Sequence, residues 1–204
     1  MTFFIVAGSS RPRSQSAKVA AYVSRVIERR SLQHRVHLLN LADSHLPPGH
    51  DKTAAGKLES PEPWEIWTTH AAALREAEAV VIVAPEWGGM APPALKNFFL
   101  LCDQELCHKP ALLVAVSATR GGSYPIAELR TSSYKNTRIC YIPEHVIVHG
   151  VRDVLNAEEP ASPADDYVRR RCDFALGVLE VYGEALATAR TDNRLFHPDF
   201  KYGM

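Results

Sequence analysis

The stretch Gly8-Ser9-Ser10-Arg11-Pro12-Arg13-Ser14-Gln15-Ser16 lies between a short apolar run and the start of an amphipathic segment. Four hydroxyls and two guanidiniums fall between Ser9 and Ser16. A helix N-terminus there would add free backbone N–H groups and the positive end of the helix dipole. Donors at this density suit an oxyanion, and a phosphate above all. No Gly-Lys-Ser/Thr follows, so the loop is not that of a nucleoside-triphosphate binder, and the glycine spacing of a dinucleotide loop is missing. A monophosphate ligand fits better. The competing reading is a plain helix cap, with Ser14 or Ser16 capping and the arginines solvated.

A second loop reads Pro85-Glu86-Trp87-Gly88-Gly89-Met90 and runs through Ala91-Pro92 into Pro93-Ala94-Leu95-Lys96-Asn97. An aromatic ring beside two glycines offers a flat stacking surface and lets backbone come close to a planar ligand. Taken alone, the same residues also describe a tight turn before a helix opened by Pro93, with Trp87 as a core or interface aromatic. A third loop, Ser117 to Gly122, contains Thr119, Arg120 and Gly121.

These loops need a scaffold, and the hydrophobic pattern supplies one. Phe3–Ala7, Ala79–Ala84 and Ala111–Ser117 are continuous apolar runs that suit strands covered on both faces. Arg35–Leu41 alternates, as an edge strand does, and Val146–Val148 is a candidate last strand. Helical spacing appears over Ser14–Arg30, Trp64–Glu78, Pro93–Asp103, Tyr124–Asn136 and Ala164–Ala189. The stretch Ala42 to Pro63 reads as a long loop. Strand and helix thus alternate about five times, which predicts an α/β, doubly wound, five-stranded parallel sheet in the order 2-1-3-4-5 with helices on both faces. Ligands in such a sheet bind beyond the carboxyl ends of strands 1 and 3, where the three loops converge. We expect one domain over residues 1–190 and an aromatic C-terminal tail over 191–204.

Composition removes several classes. The 204 residues hold 23 Lys plus Arg and 23 Asp plus Glu, a formal balance of zero. Without a cationic excess, nucleic-acid binding by counterion release has no driving force. Without an acidic excess, a carrier that docks through its own field is equally disfavoured. No apolar run approaches the length of a bilayer span, and no basic segment precedes the first one as in a signal peptide, so cytoplasm is the expected location. The four cysteines are too scattered for a disulfide framework, and no histidine cluster has metal-ligand spacing, so no metal is expected.

The three loops together resemble the NAD(P)H-dependent FMN reductases of the flavodoxin-like fold, with the related quinone, azo and chromate reductases. Gly8, Ser9, Arg11 and Ser14 match that family's Gly-Ser-x-Arg-x-x-Ser loop. Pro85, Glu86, Gly89, Pro92, Leu95, Lys96 and Asn97 match its Pro-Glu-Tyr-Asn-Gly and Pro-x-x-Leu-Lys-Asn, and Ser117, Gly121 and Gly122 match loosely a Ser followed by a Gly-rich turn. The resemblance covers roughly the first 150 residues. It implies that Ser9, Arg11, Ser14, Gln15 and Ser16 hold the FMN phosphate. Pro85, Glu86, Trp87, Gly88 and Gly89 would line the isoalloxazine, and Ser117, Thr119, Arg120, Gly121 and Gly122 would close its other side. Arg120, beside Gly121-Gly122, has two readings of its own: a contact to a phosphate of NADPH, or a solvated loop arginine. Trp87 stands where the family has Tyr, and Gly88 where it has Asn, so a phenol and a side-chain amide are lost.

The implied activity is an oxidoreductase that takes a hydride from NADPH or NADH onto flavin N5. Electrons then pass to a small acceptor such as a quinone or free flavin, by a ping-pong mechanism that needs no general acid or base. A homodimer or homotetramer is implied too. Trp64 and Trp67, three apart on one side of a helix, read as core or as interface. The aromatic tail Phe196 to Tyr202 reads as docking on a neighbouring subunit before its own surface or the flavin cleft. Two other readings stand beside it: a flavodoxin-type electron carrier, and a fold relative that has lost flavin and acts as a binding or regulatory protein.

Overall fold

The computed structural model describes residues 1–49 and 62–200. Strands β1 (Thr2–Ala7), β2 (Arg35–Asn40), β3 (Ala79–Pro85), β4 (Pro110–Val116) and β5 (Cys140–Val148) form one sheet in the order β2-β1-β3-β4-β5. Every neighbouring pair is parallel. The order and direction are those expected from the sequence. Parallel neighbours need long crossovers, and helices α1 (Gln15–Arg30), α2 (Glu62–Glu76), α3 (Pro93–Leu101) and α4 (Ser123–Arg130) supply them, with α5 (Pro163–Ala189) closing the fold.

β3 and β4 are buried along their whole length, which is why each reads as an unbroken aliphatic run. α1 and α5 cover one face, packing Val19, Val23, Ile27, Leu176 and Leu179 against Ile5, Val81 and Val114. α2, α3 and α4 cover the other, with Leu74, Leu95, Phe98 and Leu129 against Phe4, Val6, Ile82 and Leu113. Trp67 is buried there, edge-on to Phe98 at 6.1 Å, and Trp64 packs on the same cluster. The pair is therefore core of its own chain.

Two elements differ from expectation. β5 starts at Cys140, well before Val146, because an edge strand needs no continuous apolar run and Pro143-Glu144-His145 conceals it. Its register slips between Ala111 and Leu113 of the neighbouring strand. α4 stops at Arg130 instead of reaching Asn136, and Ser133 and Asn136 have φ of 64° and 70°, outside helical space. Most of the expected loop from Ala42 to Pro63, and Lys201 and Tyr202 of the tail, lie outside the described residues.

All four cysteines are free. Burial pushes the Cys172 thiol up to about 12, so it stays protonated and inert. Among the described residues no group of acidic, histidine or cysteine side chains is arranged to hold a metal ion. Nor is any helix among them long and apolar enough to cross a membrane. After α5 the chain makes two short 3₁₀ turns, Asn193–Leu195 and Pro198–Phe200. Phe196 meets the His108 ring at 5.7 Å, and Leu195 O accepts from Arg138. Both contacts lie where β4 and β5 begin, so this part of the tail sits at the amino edge of the sheet.

Candidate active site

At the opposite edge, the loops after β1, β3, β4 and β5 enclose a cleft of about 290 Å³. Its floor is laid by the first loop. Gly8 N donates to Val83 O at 2.8 Å, and an added Cβ would stand 2.9 Å from that oxygen and 3.0 Å from Leu95, so only glycine allows the approach. Ser9 Oγ accepts from Arg11 N at 3.2 Å. Arg13 takes a left-handed backbone, φ 52°, and turns the chain into α1. Ser14 is the cap, accepting from Ala17 N at 3.1 Å.

Capping and anion binding are compatible here. With Ser14 serving Ala17, the amides of Gln15 and Ser16 have no partner within the helix. Ser16 is 1% exposed, and its Oγ and the Gln15 Oε1 are buried with no hydrogen-bond partner. Orphans of this kind call for a ligand or ordered water. One needs an acceptor and the other a donor, and a phosphate ester on a hydroxylated chain supplies both.

The second loop forms a two-residue hairpin. Trp87 and Met90 exchange both backbone hydrogen bonds at 3.0 Å, and Gly88 and Gly89 have φ of 56° and 76°. Two positive φ values in succession define the turn that Asn-Gly and Gly-Gly favour. Gly88 in place of Asn therefore keeps the backbone. The Arg11 guanidinium lies over the Trp87 ring, 4.4 Å from its centroid, and ties the first two loops together. Glu86 turns its carboxylate to the Gly122 amide at 2.5 Å. The third loop packs close beneath it, since a Cβ on Gly121 would fall 2.7 Å from Glu86 Oε1 and one on Gly122 (φ 121°) 2.4 Å from Ile147.

Ser9, Arg11, Ser14, Gln15, Ser16, Pro85, Glu86 and Trp87 thus line one cleft. Val116, the last residue of β4, and Ala118 of the third loop stand in its wall, whereas Ser117, Gly121 and Gly122 support it from behind. Gly88, Gly89, Thr119 and Arg120 lie outside the lining, and Thr119 and Arg120 are exposed. Lys96 and Asn97 are structural, the former paired with Glu128 at 2.6 Å. Asn97 accepts from Gly49 N and donates to Pro47 O, pinning the β2–α2 loop to α3. Burial would raise the Glu128 carboxyl, but Lys96 and the Ala91 amide hold it below its ordinary range.

Two lining residues escaped the sequence reading: Val151 and Arg152, from the loop after β5. Nothing in their spacing marks them. Lys18 of α1 donates from Nζ to Val151 O, Val154 O and Asn156 Oδ1 at 2.5, 2.8 and 2.7 Å. Burial lowers its pKa against the pull of Asp165 and Asp153.

Sheet order and cleft together define a flavodoxin-like α/β protein with a cleft lined by hydroxyls, guanidiniums and a helix start at the topological switch point. The model of the NADPH-dependent FMN reductase family matches residues 1–153, and the chain belongs to that family. It is accordingly a flavin oxidoreductase, with FMN as cofactor and a reduced nicotinamide nucleotide as co-substrate. No curated protein sequence is significantly similar.

Solved structures agree in fold. The flavoenzyme NAD(P)H:(acceptor) oxidoreductase FerB of Paracoccus denitrificans is 19% identical, with a TM-score of 0.66 over 92% of this chain and 97% of that one. An NADH:FMN oxidoreductase, EMOB, in its apo form, is 16% identical with a TM-score of 0.66, covering 99% and 94%. An oxidoreductase of Corynebacterium diphtheriae is 16% identical with a TM-score of 0.65, covering 89% and 95%.

Proposed function

We propose that the chain transfers electrons from NADPH or NADH to a small acceptor, such as a quinone or free flavin, in two half-reactions at this cleft. FMN, when bound, supplies the two-electron carrier that lets nicotinamide and acceptor react in turn. The protein's part is to bind and orient. Ser9, Ser14 and Ser16, with the free amides at the start of α1, take the phosphate, and Arg11 neutralises it. Trp87 provides the flat wall for the ring system, and the Gly88-Gly89 hairpin holds it in place from outside the lining. Glu86, held by Gly122, keeps the second and third loops at a fixed separation. No side chain is assigned as general acid or base. Arg120 is assigned to the nicotinamide nucleotide's phosphate. We place the protein in the cytoplasm as a homodimer or homotetramer.

The observation that carries this reading is the orphaned Ser16 hydroxyl and Gln15 carboxamide oxygen at a helix start, in a cleft whose guanidiniums have no carboxylate partner among the described residues. Visible absorption of the FMN-reconstituted protein, followed during anaerobic addition of NADPH, tests it. Rapid bleaching is expected. A flavin that binds but stays oxidised would favour the carrier reading, and absence of flavin binding would favour the flavin-less one. Arg11→Ala is expected to raise the Kd for FMN roughly 10-fold or more, as loss of a hydrogen bond to a charged group does. Fluorescence titration with FMN measures it, and an unchanged Kd would remove Arg11 from the phosphate site.

A further inference from the structure

We propose that Arg152 is a further cation for the FMN phosphate, delivered by a fourth loop that lies outside the three motifs. The inference rests on reading the cleft as the FMN site and adds a residue to it. Arg152 lines the same cleft as Arg11, Ser14 and Ser16 and is exposed. Arg30, Arg75, Arg169, Arg170, Arg171 and Arg194 all sit in ion pairs. Arg11, Arg13 and Arg152 are among the arginines that have none among the described residues, and they are the ones that line this cleft. A guanidinium without a carboxylate is a common surface feature, but three converging on one cleft are not needed by the fold. A phosphate monoester carries close to two negative charges at neutral pH, more than one arginine balances.

The carboxylates nearby are otherwise engaged. Glu86 faces the Gly122 amide, and Asp153 acts on Lys18. The loop that presents Arg152 is also held far more firmly than a surface connection requires. Gly150 N donates to Thr119 O and Val151 N to Ser117 O, which fasten it to the β4 loop. Lys18 fastens it to α1 from the other side. Further along, Leu155 is buried in a left-handed conformation (φ 59°), its amide bonded to Asp165 at 2.9 Å. A bulky residue keeps such a backbone only where its surroundings over-determine it, as they do at binding sites. The backbone that presents Arg152 is thus pre-placed, so only the side chain has to be ordered when a phosphate arrives.

Riboflavin differs from FMN only by lacking the phosphate, and that difference provides the test. Kd values for FMN and riboflavin are measured by flavin-fluorescence quenching with wild type and Arg152→Ala. We expect the variant to bind FMN about 10-fold more weakly, the worth of one charge-assisted hydrogen bond, with riboflavin unchanged. Unchanged FMN affinity overturns the proposal. So does an equal loss for both flavins, which would make Arg152 a shaping residue. A raised KM for NADPH with FMN affinity intact also overturns it and transfers Arg152 to the nicotinamide nucleotide. Should wild type itself bind FMN no better than riboflavin, the failure lies with the phosphate-site reading. Arg152 is exposed and its side chain makes no hydrogen bond, so the variant is expected to melt with wild type.

Discussion

Asp165→Ala is expected to lower the unfolding free energy by about 3–5 kcal/mol, the cost of removing one partner from a buried ion pair. Asp165 is 1% exposed and accepts from Leu155 N at 2.9 Å and Ala161 N at 3.0 Å, as well as from Arg169. Alanine leaves the buried Leu155 amide unmatched, releases the exposed Ala161 amide to water and strips Arg169 of its carboxylate. Arg169 would still reach the carbonyls of Ala157 and Glu158, which favours the lower end of the range. Urea denaturation at neutral pH measures the loss. FMN affinity is expected to fall with it, because the strained segment around Leu155 continues the loop that carries Arg152.

The same group dictates an acid sensitivity. Burial alone would raise the Asp165 carboxyl, but Arg169 and the two amides outweigh it and hold the carboxyl below its ordinary range. Its folded pKa therefore lies under its unfolded one. The stabilisation is complete above about pH 4 and is lost as pH falls from there through the folded value. Wild type is expected to lose stability over that interval more steeply than Asp165→Asn, which has no carboxyl to titrate. Parallel acid curves for the two proteins would refute the assignment.

Gly122→Ala is the second large effect, about 2–5 kcal/mol of destabilisation. Its φ of 121° is closed to an L side chain, and the added methyl would lie 2.4 Å from Ile147 in β5. Neither strain is relieved without moving the start of α4, and that movement takes the amide away from Glu86. FMN affinity should drop along with the melting temperature. Gly121→Ala makes the contrast: its methyl meets only the end of the flexible Glu86 side chain, at 2.7 Å. That variant should stay within about 1 kcal/mol of wild type while displacing Glu86. A Gly122→Ala protein that melts with wild type would contradict the turn described here.

What the sequence discloses follows from what each residue faces. β1, β3 and β4 are legible because strands covered on both faces must be aliphatic throughout. The first two site loops are legible because hydroxyls, guanidiniums and paired glycines concentrate after such runs. β5 is obscured because an edge strand tolerates Pro143 and a register slip. Arg152 is obscured for a different reason: a basic residue in a polar loop has no periodicity, and only the fold brings it beside Arg11. The bonds of Lys18 leave no mark in the sequence, since α1 looks amphipathic whether or not that lysine is bonded. Gly88 reads as a departure at the level of side chains, yet both central positions of the hairpin have positive φ, so glycine preserves the turn that Asn-Gly would make.

The placing of the three tryptophans has an optical consequence. Trp64 and Trp67 are packed on the α2 side of the sheet, whereas Trp87 alone stands in the cleft under the Arg11 guanidinium. An excited indole passes its energy to an adjacent isoalloxazine far more efficiently than a distant one does. With FMN in this cleft, as proposed, its occupancy is written chiefly into the emission of Trp87, and the chain carries its own gauge of cofactor loading.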